Sequence, residues 1–79
     1  MMNFGKALEL LKAGKRVARP GWNGRGMWLE LQRPDEHSKM TLPYIYISTA
    51  DQQLVPWVTS QMDVLAEDWM EVIQLQRAG

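Results

Sequence analysis

The chain contains no cysteine and a single histidine, His37. Without cysteine no disulfide can staple it, and no Cys/His spacing is available for a structural zinc. One histidine in a polar stretch cannot anchor a nucleophile, base and orienter together. An excess of one charge is also missing: 9 Lys and Arg face 9 Asp and Glu. That balance argues against a binder of DNA or RNA polymers and against a basic membrane-surface helix. No apolar run approaches the roughly 20 residues that span a bilayer. Lys6 stands near the N-terminus with no long apolar core behind it, so no signal peptide is expected. Together these absences predict a cytoplasmic protein.

What is present is adhesive. The 79 residues fit one domain spanning 1–79, and they include 4 Trp, 2 Tyr and 6 Met. A chain this short buries only about 60 % of its unfolded surface. With neither disulfide nor metal, oligomerisation is the remaining route to stability, and aromatic and methionine side chains suit an interface.

The periodicities predict an α+β fold. Phe4, Ala7, Leu8 and Leu11 recur at helical spacing, Asn3 can cap the first turn and Gly14 can stop the helix, so residues 3–13 form the leading helix. Lys15 to Arg19 is a short strand ended by Pro20, and a turn follows from Gly21 to Gly26. Met27, Leu29 and Leu31 alternate with Trp28, Glu30 and Gln32, the pattern of a half-buried strand. Residues 33–41 are polar, with a turn signal at Pro34-Asp35, and are expected to be a mobile loop. Tyr44 to Ser48 is the clearest strand. Leu54 to Trp57 returns as an edge strand marked by Pro56. A helix capped by Thr59 or Ser60 is expected to run about two turns, to Glu67 or Asp68. Trp69 to Leu75 is the last strand, and residues 76–79 are expected to fray. The result is a helix packed on a small, mainly antiparallel sheet, with a short second helix before the final strand.

The segment Arg19-Pro20-Gly21-Trp22-Asn23-Gly24-Arg25-Gly26 stands out chemically. A glycine-rich turn cannot bury an indole locally, so the rest of the fold, another subunit or a ligand must cover Trp22. The segment offers a flat face for a base, guanidinium groups for phosphates and backbone free to approach closely. The glycine spacing alone is equally that of a tight hairpin turn. A strand follows it rather than a helix, so it is not a dinucleotide fingerprint. Trp57 and Trp69 lie in apolar stretches and are expected in the core rather than against a ligand, and Trp28 is left between core and ligand contact, on a face shared with Glu30 that suits a subunit contact. His37 reads as an exposed loop residue. Asp63, Glu67, Asp68 and Glu71 read as a solvated helix end, with Asp63 set apart by its place beside Trp57 to Gln61.

Several blocks resemble a known family. They are Asn3-Phe4-Gly5-Lys6-Ala7-Leu8, Lys15-Arg16-Val17-Ala18-Arg19-Pro20-Gly21-Trp22-Asn23-Gly24, Val55-Pro56-Trp57, and the run from Ser60 to Trp69. Their order and spacing resemble the second-type Thoeris anti-defence (Tad-two) family of small phage and prophage proteins, from about Met2 to Val72. Residues 33–43 are shorter than in many relatives, and that loop is a place where ligand choice can differ. The resemblance implies a sponge that sequesters cyclic nucleotide immune signals without cleaving them, notably glycocyclic ADP-ribose, and in some members cyclic di- or trinucleotides of CBASS defence. It implies homotetramers with pockets between protomers, acting in the cytoplasm of an infected bacterial host. It places the family's tryptophan at Trp22 and its Ser-Gln-x-Asp block at Ser60, Gln61 and Asp63. No catalytic residue, metal or cofactor is expected.

Roles follow as expectations. Trp22 stacks a purine, Asn23 and the amides of Gly24 and Gly26 read polar edges, and Arg19 and Arg25 meet phosphates. Ser60, Gln61 and Asp63, from the same or a neighbouring chain, bond ribose hydroxyls, with Asp63 away from the diphosphate. Two other classes stay open: a small enzyme that degrades a cyclic nucleotide through the carboxylates, and a protein–protein interaction module built on the tryptophans.

Overall fold

The computed structural model of the chain describes residues 1–22 and 26–73. Helix α1, Phe4–Lys12, leads into strand β1, Arg16–Ala18; β2 is Trp28–Gln32, β3 Tyr44–Ser48 and β4 Leu54–Pro56. A single helical turn, α2, Gln61–Val64, precedes β5, Met70–Val72. The strands form one antiparallel sheet in the order β4-β3-β2-β1-β5.

α1 begins and ends where its sequence says it should. The Asn3 carboxamide oxygen accepts from the Lys6 amide at 2.9 Å, satisfying one of the donors a first turn leaves unpaired. At the other end Gly14 takes φ +89°. There the amide of Lys15 reaches the carbonyl of Leu10 at 2.9 Å, and that of Gly14 reaches Leu11 at 3.0 Å. This paired closure needs a left-handed residue, which glycine adopts without a Cβ clash. Ala7 and Leu11 are fully buried beneath the helix.

The register assigns the two sheet faces. Val17 pairs with Leu29, Leu29 with Ile47, Leu31 with Ile45 and Ile47 with Val55, so these side chains share the face toward α1. Ala7, Leu11, Val17, Leu29 and Trp69 are the buried cluster between helix and sheet. The opposite face carries Arg16, Ala18, Trp28, Glu30, Tyr46, Met70 and Val72, by the same alternation. Helix α1 lies across β1, β2 and β5.

Strand β1 is one residue shorter at each end than expected and β2 begins one residue later, and larger differences lie in the C-terminal half. The second helix is one turn rather than two: Ser60 caps it, accepting from the Asp63 amide at 3.1 Å, but the chain leaves helical geometry after Leu65. Trp69 explains why. Its indole is wholly buried and its backbone bridges Met2, so residues 66–69 must extend toward the sheet rather than wind on. The last strand therefore begins at Met70, not Trp69, and within the described residues ends at Val72. The strand expected at Leu54 to Trp57 ends at Pro56 and is an edge strand, as its proline implied. Asn23, Gly24 and Arg25, residues 74–75 of the expected last strand and the expected frayed end at 76–79 lie outside the described residues.

Candidate ligand-binding site

Pro20 and Gly21 end β1 and turn the chain, which puts Trp22 at the end of the sheet. The half-buried indole has three surroundings. Its ring meets that of Trp69 edge to face, with centroids 5.4 Å apart. Its Nε1–H donates to Asp63 Oδ1 at 3.2 Å. The rest lines a hollow of about 450 Å³ shared with Pro20, Met27, Trp28 and Met70. Two indoles therefore flank one cavity whose size lies within the range of small-molecule sites. Arg19, Ala18, Gly26 and Val72 complete the lining.

Asp63 fixes both tryptophans. Its side chain accepts from Trp22, while its backbone carbonyl accepts from Trp69 Nε1 at 2.9 Å. The carboxylate also meets Arg19 Nη1 at 2.7 Å. Arg19 Nε donates to Asp68 Oδ1 at 2.7 Å, so one guanidinium is clamped between two carboxylates. These three groups leave a local charge of minus one (two Asp, one Arg) beside the hollow.

The electrostatics follow from those contacts. Burial pushes the Asp63 carboxyl up, but hydrogen bonds from Arg19, Trp22 and Ser60 outweigh it and hold the group below its ordinary value. The Arg19 hydrogen bond holds Asp68 low as well, and the same bonds, that to Asp68 first, raise Arg19. Asp35 is also held low, by the His37 amide and the Ser38 hydroxyl in the loop. A carboxylate depressed in the folded chain contributes stability in full above the unfolded value of about 3.9, and loses it as pH falls through the folded value. The urea midpoint is thus expected to hold steady from about pH 7 to 5 and to drop below about pH 4. Asp63→Asn should lower the midpoint at neutral pH and flatten the acid limb, leaving the share of Asp35 and Asp68. An acid limb as steep as the wild type's in that variant would refute the assignment.

The sequence-derived residues are placed as follows. Arg19, Trp22 and Asp63 converge within one chain, and Gly26 lines the same hollow with φ +75°. Arg19 was expected to meet phosphate and Asp63 to lie apart from it, yet they are ion-paired with each other. The physical reason is that a largely buried carboxylate beside an indole requires a cation. Ser60 and Gln61 are exposed, and the Ser60 hydroxyl caps α2. Asn23, Gly24 and Arg25 lie outside the described residues.

Two features escaped the sequence reading. Asp68 lies 49 residues from Arg19, and nothing local marks it as a partner. Behind the hollow, Arg16 stacks over Trp28 at 3.8 Å from the ring centroid and donates through Nε to Glu30 at 3.0 Å. Tyr46 donates to the same Glu30 oxygen at 3.0 Å. The signal existed: Arg16, Trp28, Glu30 and Tyr46 all fall on one face once strand register is known. As expected, Trp69 is core and Trp57 packs against the core. Trp28, left between core and ligand contact by the sequence, lines the hollow. Among the described residues no group of three His, Cys, Asp or Glu side chains could hold a metal ion, and no helix is long and apolar enough to cross a membrane.

Comparison with known proteins agrees along the chain. The family model described as a Thoeris anti-defense 2-like domain matches residues 2–72. A protein of Bacillus phage SP01 named Thoeris anti-defense 2 is 43% identical over 81 residues, covering 86% of this chain and 91% of that one. The match takes in α1, all five strands and every described residue around Trp22, and the chain belongs to the Tad2-like family of Thoeris anti-defense proteins.

Proposed function

We propose that this protein is a sponge: it binds a cyclic nucleotide immune signal in the cytoplasm of an infected bacterium and holds it intact. Glycocyclic ADP-ribose is the first ligand to consider, with cyclic di- and trinucleotides of CBASS defence next. The observation that carries this reading is the hollow flanked by Trp22 and Trp28, with the Trp22 indole fixed by Asp63. A purine stacked there gains roughly 1–3 kcal/mol, and an indole already held in place loses little entropy on binding.

The clamp divides the labour within the site. Its surplus negative charge suits ribose hydroxyls, which donate protons, and repels phosphate. Arg19 thus serves mainly to hold Asp63 and Asp68. The phosphates are left to Arg25, with Asn23 and the amides of Gly24 and Gly26 reading polar edges. Ser60 and Gln61, exposed beside the clamp, extend the ribose contacts.

A sponge must outcompete a receptor, which requires nanomolar affinity, or about −12 kcal/mol. Stacking plus a few charge-assisted hydrogen bonds at roughly 1.5–3 kcal/mol each falls short on an open surface once association costs are met. A second copy of the chain roofing the hollow supplies the missing burial, and a homotetramer provides it for every chain. Chemistry on the ligand is not part of this proposal, because among the described residues both carboxylates beside the hollow are ion-paired to Arg19.

The test is capture and release. Protein is mixed with glycocyclic ADP-ribose, freed of unbound ligand and heat-denatured. Intact ligand is expected in the supernatant. Recovery of a cleaved product would make the protein an enzyme, and no capture would remove this ligand. A thermal-shift panel of cyclic nucleotides then finds the preferred one, since ligand at 100 times Kd adds about 2.7 kcal/mol of stability.

A further inference from the structure

The aromatic wall that the sheet itself supplies to the hollow is Trp28. Strand register shows what surrounds it on the open face. One row across the sheet places Ala18, Trp28 and Ser48 side by side, and the next places Arg16, Glu30 and Tyr46. Trp28 thus has a buried alanine on one side and a buried serine on the other, both too small to grip an indole. The ring turns about two side-chain bonds, so its direction must be set from the neighbouring row.

That row is a connected polar set. The Arg16 guanidinium covers one face of the Trp28 ring, 3.8 Å from its centroid. Arg16 is fixed in turn, because its Nε donates to Glu30 Oε1 at 3.0 Å and the Tyr46 hydroxyl donates to the same oxygen at 3.0 Å. The Tyr46 ring meets Trp28 edge to face, with centroids 6.0 Å apart. Burial, and after it the bond to Glu30, raise the Tyr46 phenol above its ordinary value, so it remains a donor at neutral pH. The side chains of the Arg16–Glu30 pair are only 25% and 27% exposed, so salt screens it less than a pair in open water. Arg16 and Glu30 line a separate recess with Glu71, and neither is among the described residues that line the hollow. The guanidinium backs the wall from behind.

We propose that Arg16 is a positioning residue: held by Glu30 and Tyr46, it fixes the Trp28 indole so that the hollow offers a second preformed stacking wall beside that of Trp22. This role rests on the hollow being the ligand site. A planar guanidinium lying on an indole sets the tilt of the ring, which a flexible ammonium or an aliphatic chain does not. The Glu30 carboxylate ties that guanidinium down from the adjacent strand, and Tyr46 ties the carboxylate from the strand beyond. A wall already in place spares the ligand the cost of ordering a bulky side chain, roughly twofold to twelvefold in affinity for each one. Trp22 is held by Asp63 in the same manner, so each wall of the hollow has its own polar anchor. The effect of Arg16 on a ligand passes through Trp28.

Ring mobility and capture are read on the same variants. In isotope-labelled protein the 4 tryptophans each give an indole N–H resonance, and the one lost in Trp28→Phe belongs to Trp28. In the wild type its heteronuclear NOE is expected to match that of buried Trp69. Arg16→Met keeps a stem of similar length but no guanidinium, and should lower the Trp28 value while leaving that of Trp69 unchanged. Capture of the cyclic nucleotide that stabilises the wild type most should weaken by about threefold to tenfold in Arg16→Met, and less in Arg16→Lys, which keeps a cation. Tyr46→Phe removes one hydroxyl and should move both readouts the same way by a smaller amount, so it carries the test if the methionine variant does not fold. In a Trp28→Leu chain, Arg16→Met should alter capture by less than about twofold, since no indole remains to hold; a merely structural Arg16 would weaken both chains alike. An unchanged Trp28 NOE, unchanged capture despite a looser ring, or equal weakening with and without Trp28 would each overturn the role. A wild type that captures no cyclic nucleotide would sink the sponge, and the Trp28 NOE would still decide whether Arg16 holds the ring.

Discussion

Trp22→Ala is expected to reduce capture of a cyclic nucleotide below detection in a nanomolar assay. The side chain contributes in three ways, and alanine removes all of them. The stacked base loses its platform, worth about 1–3 kcal/mol, or roughly fivefold to 150-fold in affinity. Asp63 loses a donor 3.2 Å away, so the carboxylate proposed to meet the ribose is no longer held against the indole. The hollow loses one of its two aromatic walls. Trp22→Phe keeps a ring but not the Nε1 donor, so it should fall between wild type and alanine. The ring also packs on Trp69, and some loss of stability accompanies either change. Capture is therefore measured on protein shown to be folded by circular dichroism. A folded alanine variant that binds as tightly as the wild type would place the ligand elsewhere.

Trp69→Ala is expected to unfold the protein or bring it close to unfolding. Trp69 is 0% exposed and is the largest fully buried side chain. Its ring lies 5.4 Å from Phe4, 5.4 Å from Trp22 and 6.1 Å from Trp57, so one indole joins the first helix, the turn and the segment after β4. Truncating a buried aromatic costs about 3–5 kcal/mol. It also removes the donor to the Asp63 carbonyl, leaving that group to find another partner. Small domains sit at the low end of the usual 5–15 kcal/mol of stability, so this loss is most of the total. In urea the midpoint should fall by about 2 M or more, if a cooperative transition survives. Trp69→Phe retains much of the packing and should recover a large part of it. A shift in the alanine variant below about 0.5 M would show that the core does not depend on this side chain.

The two predictions separate stability from binding at neighbouring tryptophans. Sequence patterning assigned Trp69 to the core, where the structure has it, and left Trp22 uncovered in its own subunit, whereas its indole is half-buried against Trp69 and bonded to Asp63. It could not say that the two rings touch, or that Asp63 holds both. That matters for interpretation: a change at Trp69 will disturb Trp22, whereas Trp22→Phe should leave Trp69 largely in place.

The architecture was legible because its signals are local. Asn3 and Gly14 bracket α1 through hydrogen bonds to residues three to five positions away. The alternation in Met27 to Gln32 and the run from Tyr44 to Ser48 each encode a face with no reference to the rest of the chain. The second helix was overestimated for a complementary reason. Ser60 through Asp68 has a capping signal and no breaker, so nothing nearby stops the helix after one turn. What stops it is the anchoring of Trp69 against the sheet and Met2, which a window of ten residues does not contain.

The sequence alone was enough to determine the α+β class, the order of elements, the cap and stop of α1, the edge position of β4 and the family to which the chain belongs. Tertiary structure decided the rest: that Arg19 spends its guanidinium on Asp63 and Asp68, that Trp22 and Trp28 flank one hollow, and that Arg16 stacks over Trp28. Capping and periodicity are fixed by neighbours along the chain. Pairings across 44 and 49 residues exist only once the sheet has set its strand order.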